Sequence, residues 1–273
     1  MLIIKDNASK AYIAACEAVQ AAGDKVFNTV ELIGVDIVIP AYASPIISLS
    51  EGKNPSLRYI LAENIWYAAG INDVEFISKF AKLWLNITDD GKTSNSAYGF
   101  IMQNKFGFNQ INKLIDIFKR NRYSRRAIIV INDANENVER TLDEQCTMYL
   151  QFFIRNDELE MHTYMRSNDL IYGLPYDIPA FVYLQQYVHY LLNANGIKCR
   201  LGYYYHHVSS LHYYLDDIFK INGIIKSKVS NTRADLNAVN LYSKAKDIYE
   251  RLDKNNIIEE CLREGILCWR PII

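Results

Sequence analysis

The segment from Thr147 to Met165 constrains the fold of this chain more than any other. Thr147 to Ile154 alternates apolar and polar residues, and Glu160 to Met165 does so again, the period of a half-buried strand. Asn156 and Asp157 lie between them and suit a tight turn, because short polar side chains tolerate left-handed backbone. The two runs therefore read as an antiparallel hairpin. That geometry brings Cys146, at the start of the first strand, to the same edge as Arg166, at the end of the second. Arg166-Ser167-Asn168-Asp169 then sets a guanidinium, a hydroxyl, an amide and a carboxylate side by side, and Gly173, Pro175 and Asp177 follow. A thiol facing anion and hydrogen-bond binders suggests a covalent catalyst for a small anionic substrate. The ordinary alternatives are a cysteine that is only a small buried hydrophobe and a polar string that is only a solvated turn.

The rest of the chain alternates helix and strand signals. Ala8 to Ala22, stopped by Gly23, suits a helix, and Thr29 to Ile39 a strand ended by Pro40. Ser56 to Ala69 and Val74 to Leu85 read as helices, Asp89 to Ala97 as loop, Asn109 to Arg120 as an amphipathic helix. Arg126 to Ile131 is a short strand, Pro179 to Asn195 a long helix, and Cys199 to Val208 a tyrosine-dense strand. Ser209-Ser210 is expected to cap a helix carrying His212 and Tyr214. Helix signals resume at Asn240 to Arg251 and Ile257 to Arg263. With 273 residues, half of them apolar, one α+β domain over 1–273 can bury a sizeable core. No glycine-rich phosphate loop favours a Rossmann or P-loop fold. A net charge of −1 supplies no basic field for a required nucleic acid. Five scattered cysteines suit a reducing, cytoplasmic setting, and with no CxxC pair a zinc site is not expected. Without a basic region followed by a sustained apolar core near Met1, a secretory leader is not expected, nor is a membrane span, since no uninterrupted apolar run is long enough.

On this frame the chemistry-bearing residues fall in a specific order. Cys146, Gln151, Arg166-Ser167-x-Asp169, Gly173-Leu174-Pro175 and Asp177 resemble the core of the thymidylate synthase family. Upstream, Glu63-x-x-Trp66-Tyr67 with Gly70, then Trp84, Tyr98-Gly99 and Ser124-Arg125-Arg126 extend the likeness, and His212-x-Tyr214 does so downstream. The resemblance implies a thymidylate synthase-like fold, a twisted mixed sheet flanked by helices and used as a homodimer interface. It implies a pyrimidine nucleoside monophosphate as substrate and 5,10-methylenetetrahydrofolate as one-carbon donor. Cys146 would be the nucleophile and Glu63 the acid that orders water. Arg166, with Arg125 and Arg126 reaching in from the second subunit, would hold the phosphate. Gln151 and Ser167 would bond the phosphate and base region, and His212 and Tyr214 the sugar hydroxyl. Trp84, Asp169 and Gly173 are expected at the folate, and Trp66 in packing. The early arginine that the methylases use for phosphate is missing; Lys25 is the nearest cation.

Two departures point the same way. Thr147 stands where the methylases place a histidine, and Asp177 where they place an asparagine, a pair similar to the phage-type deoxycytidylate hydroxymethylases. A carboxylate accepts from the amino group of cytosine and favours a proton on N3. Against uracil it meets O4 lone pair to lone pair, a mismatch of about 1–3 kcal/mol. The implied activity is transfer of a hydroxymethyl group to C5 of dCMP, through a Cys146 adduct at C6, with Asp177 reading the base. Alternatives within the fold are a dCMP or dUMP methylase and a CMP hydroxymethylase; outside it stands a non-catalytic nucleotide- or RNA-binding relative. The closing CWRPII does not match the usual tail of the methylases, so a lid over the folate is not assumed.

Overall fold

The computed structural model describes residues 1–50, 54–135, 141–230, 232–253 and 255–271. The first elements are β1 (Leu2–Ile4), α1 (Ala8–Ala22), β2 (Asp24–Val26), β3 (Thr29–Pro40) and α2 (Leu57–Ala69). Short helices α3 (Val74–Ser78), α4 (Leu83–Ile87) and α5 (Tyr98–Phe100) lead to α6 (Gln110–Arg120). Next come β4 (Ile128–Val130), β5 (Thr147–Arg155), β6 (Glu158–Asp169), α7 (Leu174–Ala194) and β7 (Arg200–Tyr214). The chain continues through α8 (Ile218–Lys226), β8 (Thr232–Leu236), α9 (Ala238–Arg251), α10 (Ile257–Arg263) and β9 (Leu267–Pro271).

One mixed sheet runs in the order β1-β3-β7-β6-β5-β4, with β2 also on β3. The expected hairpin is present: β5 and β6 pair antiparallel, and Asn156 (φ 49°) and Asp157 (φ 60°) supply the left-handed turn. β6 and β7 are parallel, so the chain must cross over between them, and α7 makes that crossing. Alternate residues of β6, from Leu159 through Met161 and Thr163 to Met165, turn inward beneath the helices and are buried. They meet Trp66 on α2 and Phe181 and Tyr183 on α7, each large buried side chain contributing about 1.5–3 kcal/mol. The opposite sheet face carries stacked, half-buried rings: Tyr149 on Tyr164 at 4.4 Å, and Tyr164 on His207 at 4.5 Å. Gly99 is required where α5 crosses α2, since a Cβ there would stand 2.0 Å from the Tyr67 carbonyl oxygen.

Four differences from the sequence reading bear on the site. His212 and Tyr214 lie on β7, not on a helix, because β3 pairs with that strand from Pro40↔Tyr203 to Thr29↔Tyr214 and keeps it extended through Ser209-Ser210. β6 runs past Met165 to Asp169, because β7 offers partners as far as Asp169↔His212. α7 begins at Leu174, so Asp177 sits in its first turn and Pro179 inside it, at the loss of one helical hydrogen bond. Val74 to Leu85 is divided into α3, capped by Asp73, and α4. The three-residue β1 and β2 are too short to show a period, and the β8–β9 pair draws in CWRP; residues 272–273 lie outside the described ones. Among the described residues no helix is long and apolar enough to cross a membrane.

Candidate active site

The hairpin edge holds Cys146 beside Arg166 as its register requires. Arg166 N donates to the Cys146 carbonyl at 2.9 Å. The Arg166 guanidinium folds back, Nε donating to Gln145 O at 3.0 Å and Nη2 to Glu144 O at 3.1 Å. This places a cation beside the thiol, yet burial pushes the Cys146 pKa up, and Asp177, Asp143 and Glu144 add to the rise against the lowering by Arg166. In the lone chain desolvation outweighs this one guanidinium.

Two carboxyls complete the inner site. Glu63 is buried on α2, and Tyr59, one turn earlier on the same face, donates its hydroxyl to Glu63 Oε1 at 2.7 Å. Trp84 Nε1–H donates to that hydroxyl oxygen at 3.0 Å, which leaves the phenol proton for Glu63. Trp84 is buried against Trp66 at 5.1 Å and reaches Glu63 through the Tyr59 hydroxyl. Trp66 is fully buried, as packing requires. Burial, with repulsion from Asp177, pushes Glu63 up to about 8. Burial likewise pushes Asp177 up to about 7, against the lowering by Asn168, whose Nδ2 donates to Asp177 Oδ2 at 2.7 Å. Burial thus makes each carboxyl harder to ionise than it would be in water, and the charge of Asp177 adds to this at Glu63.

Asp169 and His212 face each other across β6 and β7, with His212 Nε2 and Asp169 Oδ2 3.9 Å apart. Asp169 Oδ1 accepts from Ile171 N and Tyr172 N, both at 2.6 Å, which fixes the turn into α7. Asp169 Oδ2 and His212 Nδ1 are buried and have no hydrogen-bond partner. Tyr214 is exposed beyond them, Ser167 is half-buried on β6, and Lys25 is exposed on β2 beside this end of the sheet. Gly173 N-caps α7, where a Cβ would stand 2.6 Å from Asn168 Nδ2 and 3.0 Å from Asp169 O. Its place is explained by that close approach.

Three expected residues stand apart from the cleft within one chain. Arg125 and Arg126 are exposed before β4, and Gln151, half-buried on β5, donates its amide to Arg125 O at 3.0 Å. Ala127 O bonds Phe152 N, about six residues along β5 from Cys146, a separation of roughly 20 Å at ~3.3 Å per residue. Conversely, Tyr59, Tyr98, Asn168, Tyr204 and His206 enter the site without having been assigned to it. Tyr59 was findable at four residues before Glu63. Tyr98, whose hydroxyl accepts from Thr147 N at 3.4 Å, and the pair on β7 carry no local signal.

Comparison with known proteins agrees with this geometry. The family model described as thymidylate synthase matches residues 17–257. A deoxyuridylate hydroxymethyltransferase of Pseudomonas phage M6 is 34% identical over 165 residues, covering 59% of this chain and 45% of that protein. One from Bacillus phage SP01 is 31% identical over 180 residues, 61% and 46% of the two chains. A thymidylate synthase of Mycoplasma genitalium is 30% identical over 149 residues, covering 55% and 46%. The matched stretch spans about half the length of these curated relatives. The solved thermostable thymidylate synthase A from Bacillus subtilis shares the fold at a TM-score of 0.69 and 19% identity, over 86% of this chain and 91% of that one. With the thymidylate synthase model matched over residues 17–257, most of the length of the sequence, and the same fold in a solved member, the chain belongs to the thymidylate synthase family.

Proposed function

We propose that this chain is one catalytic unit over 1–273, a cytoplasmic pyrimidine nucleotide C5 hydroxymethyltransferase acting on dCMP with 5,10-methylenetetrahydrofolate. The observation that carries the reading is Asp177, a carboxyl held by Asn168 in the same cleft as Cys146 and Glu63. Cys146 Sγ attacks C6 of the base, and the electron pair released to C5 makes that carbon nucleophilic. The Asp177 carboxyl shares one proton with N3 while accepting from the amino group, which draws electron density from C6. The residues present fit the folate: Asp169 Oδ2 is a buried acceptor without a partner, beside the turn that Gly173 opens. Bound there, the folate supplies a one-carbon unit at the oxidation level of formaldehyde. Glu63, its Oε1 occupied by Tyr59, keeps its other oxygen for orienting water. Thr147 contributes a buried hydroxyl with no hydrogen-bond partner, next to the nucleophile, where a methylase would have a larger ring. Loss of the C5 proton, as the one-carbon unit is left on C5, gives an exocyclic methylene; water adds to it and gives up a proton, and the thiolate leaves from C6 as the C5–C6 double bond returns. The expected products are 5-hydroxymethyl-dCMP and tetrahydrofolate, read by mass and absorbance in parallel assays with dCMP, dUMP and CMP. Dihydrofolate appearing in step with turnover, or a methylated nucleotide, would make the protein a methylase.

A second reading, hydroxymethylation of dUMP, is favoured by the names of the two phage relatives and by the raised pKa of Asp177. As a neutral acid, Asp177 can donate to O4 of uracil and accept from its N3–H. The same parallel assays separate the two bases.

The reading includes a homodimer whose phosphate site is completed by Arg125 and Arg126 of the second subunit. Their exposure and their distance from Cys146 support it, as does the stacked outer sheet face. That face carries a concavity of about 720 Å³ lined by Asp36, Tyr149, Tyr164 and His207. Such arginines would also offset the burial that raises the Cys146 thiol. Mixing inactive Cys146→Ala and Arg125→Ala chains is expected to recover part of the activity, because one site of the mixed dimer is intact. No recovery, with subunit exchange demonstrated, would return Arg125 to its own subunit or remove it from catalysis.

A further inference from the structure

Behind Asp177 lies a run of polar side chains that the mechanism above does not use. Asn168 is 3% exposed, and His206 and Tyr204 are fully buried. His206 Nε2 is 3.0 Å from Asn168 Oδ1, and Tyr204 Oη is 2.7 Å from His206 Nδ1. Burial keeps the Tyr204 phenol protonated and holds His206 neutral, lowered to about 3. A neutral imidazole has one N–H, so accepting from Tyr204 at Nδ1 puts the proton on Nε2, facing Asn168 Oδ1. That in turn fixes the amide with Nδ2 towards Asp177. An amide without this anchor can turn over and offer its oxygen instead. The cradle is tight as well, since Gly173 leaves no room for a Cβ next to Asn168 Nδ2.

We propose that Asn168, locked in one orientation by His206 and Tyr204, is the positioning residue that keeps the Asp177 carboxyl charged-side out and aimed at the base, and so tunes the choice between cytosine and uracil. This rests on the reading of Asp177 as the base-recognising group. Its Oδ2 is held by Asn168, which leaves Oδ1 for the ring. Other titratable groups facing Asp177 are Glu63, Tyr59 and Tyr67 from α2, Tyr98 from α5, Cys146 ahead of β5, and Tyr204 and His206 from β7. None of them donates to Oδ2; Asn168 does, and an N–H donor favours the ionised carboxyl. Without it the neutral acid gains ground, the form that serves uracil as well as cytosine.

The test compares the unmodified protein with Asn168→Ala, His206→Leu and the conservative His206→Gln. Two readouts are taken: the Asp177 carboxyl titration by 13C NMR, assigned with Asp177→Asn, and the ratio of kcat/KM for dCMP over dUMP. Asn168→Ala is expected to raise the Asp177 titration by about one unit and to lower the base ratio about tenfold. His206→Leu should shift both in the same direction, and His206→Gln, whose amide N–H can still reach Asn168 Oδ1, should restore them. An unmoved titration in both Asn168→Ala and His206→Leu would overturn the proposal, even if thermal stability fell, because packing alone would then explain these residues. The titration needs no turnover. If it moves while neither base is used by the unmodified protein, the functional reading fails and the positioning role stands.

Discussion

Cys146→Ala is expected to remove turnover, by roughly 10⁴-fold or more, while leaving nucleotide binding largely intact. In the proposed mechanism the thiol forms the bond to C6, whereas Arg166 and the arginines of the second subunit hold the phosphate. Release of label from C5 into water reports the adduct directly, so exchange persisting in the variant would contradict a thiol mechanism. Equilibrium binding of dCMP to the variant checks the other half of the expectation. In the unmodified protein, burial and three neighbouring carboxyl groups raise the thiol pKa. The rate of adduct formation should therefore climb as pH rises from neutral into the alkaline range, as the thiolate fraction grows.

Asp177→Asn is expected to move the preference from dCMP towards dUMP by about 10²-fold. The variant removes a match with cytosine and creates one with uracil, each worth ~1–3 kcal/mol. Competition between the two nucleotides in one assay reads this ratio; equal loss on both would make Asp177 structural. The pH dependence follows from the carboxyl raised to about 7. Below that, the neutral acid serves either base. Above it, only cytosine, through its basic N3, retains the shared proton, so the dCMP preference of the unmodified protein should increase with pH. The sign for stability is the reverse. A carboxyl whose folded pKa lies above its ordinary value of 3.8 contributes most at low pH, and loses that contribution as pH rises from about 4 to about 7. Asp177→Asn has no such group, so its stability should fall less than that of the unmodified protein across this window.

Much of the frame was legible because its signals are local. The alternation in Thr147–Ile154 and the Asn156-Asp157 turn placed Cys146 beside Arg166, and the structure keeps them there at 2.9 Å, backbone to backbone. Misreadings arose where a neighbour overrode a local signal. Ser209-Ser210 resembles a cap, but β3 holds those residues in a long strand. The end of β6 resembles a turn, but β7 supplies partners through Asp169.

The residue types and their order were sufficient for the likeness to a family, and for naming Cys146, Glu63 and Asp177 as candidates, since each rests on side-chain chemistry at short spacing or on a matched pattern. Tertiary structure alone decided how those groups titrate and what positions them. Burial raises both Glu63 and Asp177, and Asp177 raises Glu63 further, although they stand on different helices, α2 and α7. Tyr59 meets Trp84, and Asn168 meets His206, only because α2 packs beside α4 and β6 pairs with β7. Desolvation and the direction of a hydrogen bond depend on every atom within a few ångströms, and most of those atoms are remote in the chain.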